Sequence, residues 1–406
     1  MRDCALSEQL NKTTWLKQIE DELNNNIMHF WMNQTLDETY GGFIGEMDYV
    51  GKINDKAAKS LVLNARILWT FSAAHRAYPH AGYLQIADRA YAYLQDTFMD
   101  RKFGGLYWMV DYTGQPIQDK KQVYGQAFVI YALAEYHLAC GRTEPVQQAV
   151  QLFELLEKHS YDNVHQGYIE ALARDWQVTN DLTLSDKDLN EKKSMNTHLH
   201  VLEAYTNLYR VWKSDALKLK LTELIEVTLD HIIDSKSAHF HLFFDEEWHV
   251  KSTHISYGHD IEGSWLLVEA AEVLEDNPAL LERVKQVAIA MAEAVLARGV
   301  DKDGALWNEA DEHGLTDTNK DWWPQAEAMV GFYNAYQLTG NSKFLEAAQG
   351  SWQFIRRFIS DPEHGEWHWA VRQDGSPITE EPKVSAWKCP YHNGRACLEM
   401  IARLNK

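Results

Sequence analysis

Apolar residues recur at i, i+3, i+4 and i+7 over Ser60–Tyr78, Val123–Ala139, Met195–Trp212, Ile261–Leu274 and Ala326–Leu338. That spacing puts them on one side of a 3.6-residue helix. Val284–Leu296 carries the same period and belongs to an alternate set of helices between these. Between the helical stretches a different rhythm returns, apolar and polar residues alternating toward a turn. The segments are YGGFIGEMDYVGK from Tyr40, FGGLYWMVDYTGQ from Phe103, HQGYIEALARDWQ from His165, AHFHLFFDEEWHV from Ala238, DGALWNEADEHG from Asp303 and HGEWHWAVRQDG from His364. Period-two alternation reads as a small hairpin, with Gly supplying the positive φ that its turn needs.

Setting Gly41, Gly104, Gln166, Ala238, Gly304 and Gly365 equivalent gives steps of 63, 62, 72, 66 and 61 residues. Six copies at a near-constant step predict a repeat fold, each unit two helices and a hairpin. No such unit can bury its apolar face alone. The six helix pairs close most simply into an all-α (α/α)6 barrel whose inner helices surround a pocket. No Pro/Ser/Gly-rich linker interrupts the chain, so residues 1–406 read as one domain despite their number.

Composition narrows the function. The 406 residues are 45% apolar and 24% charged, an ordinary globular balance. The 39 basic residues against 59 acidic ones leave a net charge of −20, which repels phosphate backbones and anionic bilayers. Nucleic acid and membrane are therefore not expected partners. The start, MRDCALSEQLNKTTW, lacks the apolar core of a secretory signal, and no apolar run of about 18 residues exists. Cys4, Cys140, Cys389 and Cys397 are scattered, as free thiols in a reducing cytoplasm would be. The expectation is a cytoplasmic monomer or weak homodimer acting on a small molecule. Fifteen Trp, 19 Tyr and 18 His stand out. Rings with polar tips suit carbohydrate, or build a large aromatic core.

In such a ring, residues near the N-terminal ends of the inner helices share one mouth. Each helix after a hairpin offers polar residues there: Arg66, Tyr124, Asn196 with His200, His259 with Glu262, Trp322, and His392. Arg66 interrupts an apolar stripe and needs an anion or an oxygen-rich partner, which a structural Glu would also satisfy. Asn196 and His200 are four apart on one face, while His198 points elsewhere, so HLH is no chelate. His259 and Glu262 are three apart, letting the carboxylate orient the imidazole or share a sugar hydroxyl. Pro324 marks a helix start that places Trp322 and Trp323 at the mouth. Pro390 opens the last helix, where the dipole favours a neutral His392, with Trp387 just before it.

Three histidines without clearly paired carboxylic acids argue for proton transfer near neutral pH. Two imidazoles on opposite sides of a planar enediolate remove a proton from one face and return it to the other. Arg, Tyr and Asn donors stabilise the oxyanion. A glycosidase would want two carboxylates flanking the bond. Glu262 and Asp188 are available for that, but hydrolysis leaves the histidines unexplained. No segment has a specific metal-ligand spacing.

The segments SMNTHLHVLEAYTNLY, SYGHDIEGSWLL, DWWPQAEAMVGFYNAY and WKCPYHNGR resemble the N-acylglucosamine 2-epimerase superfamily, and within it the cellobiose 2-epimerase family, over essentially the whole chain. The resemblance implies an (α/α)6 barrel and reversible epimerisation at carbon 2 of a reducing-end glucose, giving mannose, without cofactor or metal. β-1,4-linked disaccharides such as cellobiose and lactose (giving epilactose) are the implied substrates. By the same resemblance His200, His259 and His392 are catalytic, the last two as the acid/base pair, and Glu262 assists. Arg66, Tyr124, Asp188, Asn196, Trp322 and Trp387 contact the sugar. The alternatives are a 2-epimerase of free mannose, an aldose–ketose isomerase or a glycoside hydrolase.

Overall fold

The computed structural model describes residues 2–79, 81–185 and 188–406, with side chains from Lys12 onward. Along the chain run α1 (Arg2–Asp21), α2 (Leu61–Ala77), α3 (Tyr83–Tyr93), α4 (Val123–Cys140), α5 (Glu144–His159) and α6 (Met195–Val211). They are followed by α7 (Asp215–Val227), α8 (Tyr257–Val273), α9 (Pro278–Arg298), α10 (Trp322–Thr339), α11 (Ser342–Phe354) and α12 (Tyr391–Leu404). A π turn, Glu22–Met28, continues α1 into a short helix, His29–Gln34. The even-numbered helices pack each on the next, and α12 returns to α2. That closes the inner ring of an (α/α)6 barrel, as the periodicity predicts. Each odd helix from α3 to α11 backs the inner helix before it, and α1 backs α12.

Burial separates the two rings. α4 is buried without a break from Val123 to Tyr136, because neighbours flank it on both sides and α5 covers its back. α5 buries only Pro145, Ala149, Leu152, Phe153 and Leu156, the single stripe of a helix with one covered face. Among the described residues no helix is long and apolar enough to cross a membrane.

The loops join the repeats. One antiparallel bridge opens each: Leu36 with Phe43, Met99 with Leu106, Tyr161 with Tyr168, Ile233 with Phe240, Val300 with Leu306, and Ser360 with Trp367. The six residues aligned by sequence all sit at these turns with left-handed φ: Gly41 78°, Gly104 75°, Gln166 63°, Ala238 58°, Gly304 85° and Gly365 77°. The repeat register is therefore a conformational one. The expected hairpins follow, closing Met47 on Ile53, Met109–Val110 on Pro116–Gln118, Phe244 on Val250, Glu309–Asp311 on Gly314–Asp317 and Val371 on Pro377, and their first arms also pair with the neighbouring repeat. Lys59–Ser60, just before α2, pairs with Met109–Val110 of the next loop. Lys121–Gln122 with Ala171–Leu172, Lys193–Ser194 with Phe243–Phe244, and Lys320–Asp321 with Ala370–Val371 repeat the arrangement. Met47 with Val384 brings the last repeat back to the first.

Buried lysines tie the same joints. Lys59 meets Asp37 at 2.6 Å, Lys121 Asp100 at 3.0 Å, Lys193 Asp162 at 2.8 Å, Lys320 Asp301 at 2.7 Å and Lys383 Asp361 at 2.6 Å. In the fourth repeat the place before α8 holds Ile255 instead.

Gln166 is exposed and holds a conformation costly to any residue with a Cβ. Gln166→Gly is expected to stabilise the fold by about 0.5–1 kcal/mol, read as a higher thermal midpoint. A lower midpoint would mean that the side chain contributes more than its backbone costs.

Candidate active site

The first turns of the inner helices converge at one end of the ring. Their starts are written in the sequence: Ser60 and Ser194 cap α2 and α6, each accepting the backbone N–H three residues on, from Leu63 and Thr197. Helices α8 and α10 begin at Tyr257 and Trp322, earlier than the apolar period suggests. The reason is that their first turns spend their inward positions on His259, Glu262 and the Trp322–Trp323 pair rather than on aliphatic residues.

Arg66 is 3% exposed, and its Nη2 donates to Tyr124 Oη at 2.7 Å. Its guanidinium lies 4.3 Å over the Phe128 ring and 4.9 Å over that of Tyr391. The cation is thus braced by aromatic faces and a phenol, with no carboxylate partner among the described residues. Tyr124 stands edge-on to His200 with ring centres 4.9 Å apart. The Trp323 indole spans the other two histidines, 4.7 Å from His259 and 5.5 Å from His392. His259 and His392 are therefore neighbours in one place, although 133 residues separate them in sequence. Trp322 is more deeply buried and lies 6.4 Å from His392.

Each imidazole is held through Nδ1 by a different partner. His200 Nδ1 lies 3.0 Å from Glu203 Oε2, and His392 Nδ1 lies 2.7 Å from Glu327 Oε1. A carboxylate only accepts, so in both rings Nδ1 carries a proton. His259 Nδ1 instead lies 2.8 Å from Ser256 Oγ. The expectation that Glu262 would orient His259 is replaced by this contact. Glu262 turns to Arg395, whose guanidinium donates to Glu203, Glu262 and Glu327 and to Tyr391. Tyr391 Oη also donates to Glu203.

The charges explain the protonation states. Burial, with His200 and Arg66 nearby, lowers His259 to about 3. Burial together with Arg66, Arg395 and the other histidines drives His392 well below the ordinary imidazole value. Both are neutral bases at pH 7, His392 through desolvation and neighbouring cations rather than the helix dipole alone. Burial and the adjacent Glu327 push Glu262 up to about 7. Burial works against Glu203 too, but Arg395 and His200 hold it down to about 2. Glu262, Glu327 and His392 bring donor atoms within 4.8 Å of one another, the spacing of a metal site. Arg395 already bonds both carboxylates, so a cation fills that role.

Several predicted site residues hold buried polar atoms without a hydrogen-bond partner among the described residues: Arg66 Nε, Asn196 Oδ1, Glu262 Oε2 and Trp322 Nε1. Such atoms cost free energy unless something polar meets them. Trp387 sits 6.0 Å from Tyr124 and 6.1 Å from Trp108. It forms the wall of an adjoining cleft of about 300 Å³, with Gln118, Lys120, Asp181 and Thr183 as its polar lining. Asp188 lies apart from the histidines. Its Oδ2 accepts from Ser185 N at 2.7 Å and Oγ at 2.9 Å, and it lines a small hollow with Asn196 and Glu170. His198 bonds Ser194 O and the Tyr168 N–H, a core role, as its position implies.

Sequence reasoning missed Glu203, Glu327, Arg395, Trp323 as the shared wall, and Ser256. Glu203 had a signal, since His200 and Glu203 repeat the spacing of His259 and Glu262.

Known proteins share this architecture. The profile of the N-acylglucosamine 2-epimerase (GlcNAc 2-epimerase) family matches residues 42–396. The cellobiose 2-epimerase of Bacteroides fragilis is 44% identical over 388 residues, covering 95% of this chain and 98% of that protein. That of Dictyoglomus turgidum is 40% identical over 388 residues, covering 95% and 98%. The structure of cellobiose 2-epimerase from Bacillus thermoamylovorans B4167 superposes with a TM-score of 0.92 at 40% identity, covering 96% of this chain and all of that one. A histidine cluster at the mouth of a closed helical ring and likeness along nearly the full length lead to one assignment: the chain is a carbohydrate epimerase belonging to the N-acylglucosamine 2-epimerase family.

Proposed function

We propose that the chain interconverts glucose and mannose at the reducing end of β-1,4-linked disaccharides such as cellobiose and lactose, with His259 and His392 as the acid/base pair. The observation that carries this reading is the single indole of Trp323 lying against both imidazoles. The ring must open first, because only a hydrogen beside the free aldehyde is acidic enough to remove. His200, beside the Arg66–Tyr124 pair, assists at that carbonyl. One imidazole takes the carbon 2 proton, and the C–H electron pair moves onto the carbonyl oxygen as an enediolate. Arg66, Tyr124 and Asn196 donors stabilise that oxyanion. The second imidazole, having taken up a proton from solvent, delivers it to the opposite face, the first later gives its proton back to solvent, and the glycosidic bond is untouched. Asp188 and Trp322 contact the sugar. No residue in this scheme requires a cofactor, and we read the enzyme as a cytoplasmic monomer or weak homodimer.

Turnover of cellobiose, lactose and mannose in deuterium oxide tests the scheme. Deuterium at carbon 2 of an intact disaccharide is expected. Ketose would indicate an isomerase and free glucose a hydrolase, and mannose as the sole substrate would favour the monosaccharide alternative.

The cleft beyond Trp387 suits the second sugar ring. Trp387→Ala is expected to raise KM for cellobiose about tenfold while leaving KM for mannose unchanged. Equal losses on both would remove Trp387 from that role.

A further inference from the structure

Ser256 occupies the position before α8 that Ser194 occupies before α6 and Ser60 before α2. Ser60 Oγ and Ser194 Oγ each accept a backbone N–H of the first helical turn, at 3.0 and 3.1 Å. Ser256 has the same extended backbone, with φ −112° and ψ 102°, yet makes no such cap. Its Oγ lies instead 2.8 Å from His259 Nδ1, and the side chain is buried with the residue 5% exposed. The fourth repeat thus gives up a helix cap that two of its sisters keep. What it gains is control of one imidazole.

We infer that Ser256 is a positioning residue for the epimerisation, fixing the rotation of the His259 ring so that Nε2 faces the sugar. The inference rests on the epimerase reading above. His200 and His392 are oriented by carboxylates, Glu203 and Glu327. A carboxylate favours the protonated ring. A hydroxyl both donates and accepts, so it orients the ring without fixing its charge.

The test compares Ser256→Ala, Ser256→Thr and Ser194→Ala with the wild-type chain on cellobiose, following kcat, KM and the melting temperature. Ser256→Ala is expected to lower kcat about tenfold, the kinetic equivalent of one hydrogen bond, with KM and melting temperature unchanged. Ser256→Thr, which keeps the hydroxyl, should recover most of that loss. Ser194→Ala should lower the melting temperature, because it removes a real cap. An unchanged kcat in Ser256→Ala overturns the inference. So does a fall in its melting temperature like that of Ser194→Ala without recovery by threonine, which marks a merely structural role. If the wild-type chain itself epimerises neither cellobiose, lactose nor mannose, the epimerase reading fails and the role of Ser256 falls with it.

Discussion

His392→Ala and His259→Ala are each expected to lower kcat for cellobiose epimerisation by about a thousandfold or more, within the range ascribed to general acid–base catalysis. The fold should survive both changes. Removing the His392 ring leaves Glu327 bonded to Arg395 at 2.7 Å and to the Trp265 indole at 3.1 Å, so no buried carboxylate is stranded. Removing the His259 ring frees a serine hydroxyl at a helix start, where a backbone N–H can take it. The two variants should also differ in an informative way. If each imidazole serves one face of carbon 2, each variant still exchanges deuterium into one of the two epimers, and the two variants choose opposite ones. Interconversion of glucose and mannose ends in both. Persistence of epimerisation in either variant would remove that histidine from the pair. Exchange into both epimers in one variant and into neither in the other would instead point to a single base.

Arg395→Met is expected to destabilise the fold by about 3–5 kcal/mol, the cost of breaking a buried ion network by removing one partner. Arg395 is the common counter-ion of Glu203, Glu262 and Glu327, each 1% exposed by side chain. Without it the three carboxylates repel one another in an apolar surround. Their pKa values rise in the folded state, so the folded chain binds more protons than the unfolded one, and stability falls as pH rises. The deficit relative to wild type is therefore larger at pH 8 than at pH 5. Urea unfolding at both values measures it. Midpoints equal to wild type at pH 8 would show that the guanidinium contributes nothing net. Arg395→Lys should recover only part, since one ammonium lacks the planar fork that reaches several acceptors at once.

The ring was legible in sequence because two independent periods agree. Apolar spacing located the helices, and the turn residues set the repeat. Even Gln166 and Ala238, which lack the glycine, hold positive φ at the aligned positions. The start of α8 was not legible in the apolar period, because His259 and Glu262 break the pattern there, whereas Pro324 marked that of α10. The histidines themselves were found through their place in the repeat. Their partners were not, since Glu327 lies 65 residues from His392 and Arg395 lies 192 from Glu203. A charge that pairs across the barrel looks in sequence like any surface charge. Ser256 was hidden for the opposite reason: its local setting reads as an ordinary cap.

The order of the helices also sets when the enzyme can work. His392 and Arg395 both lie on α12, the last of the ring to leave the ribosome, and its docking partners α1 and α2 are among the first. Until that helix arrives, five-sixths of a ring holds three acidic side chains without their cation and only one histidine of the proposed pair. If His392 acts as proposed, catalytic competence and completion of the belt are one event.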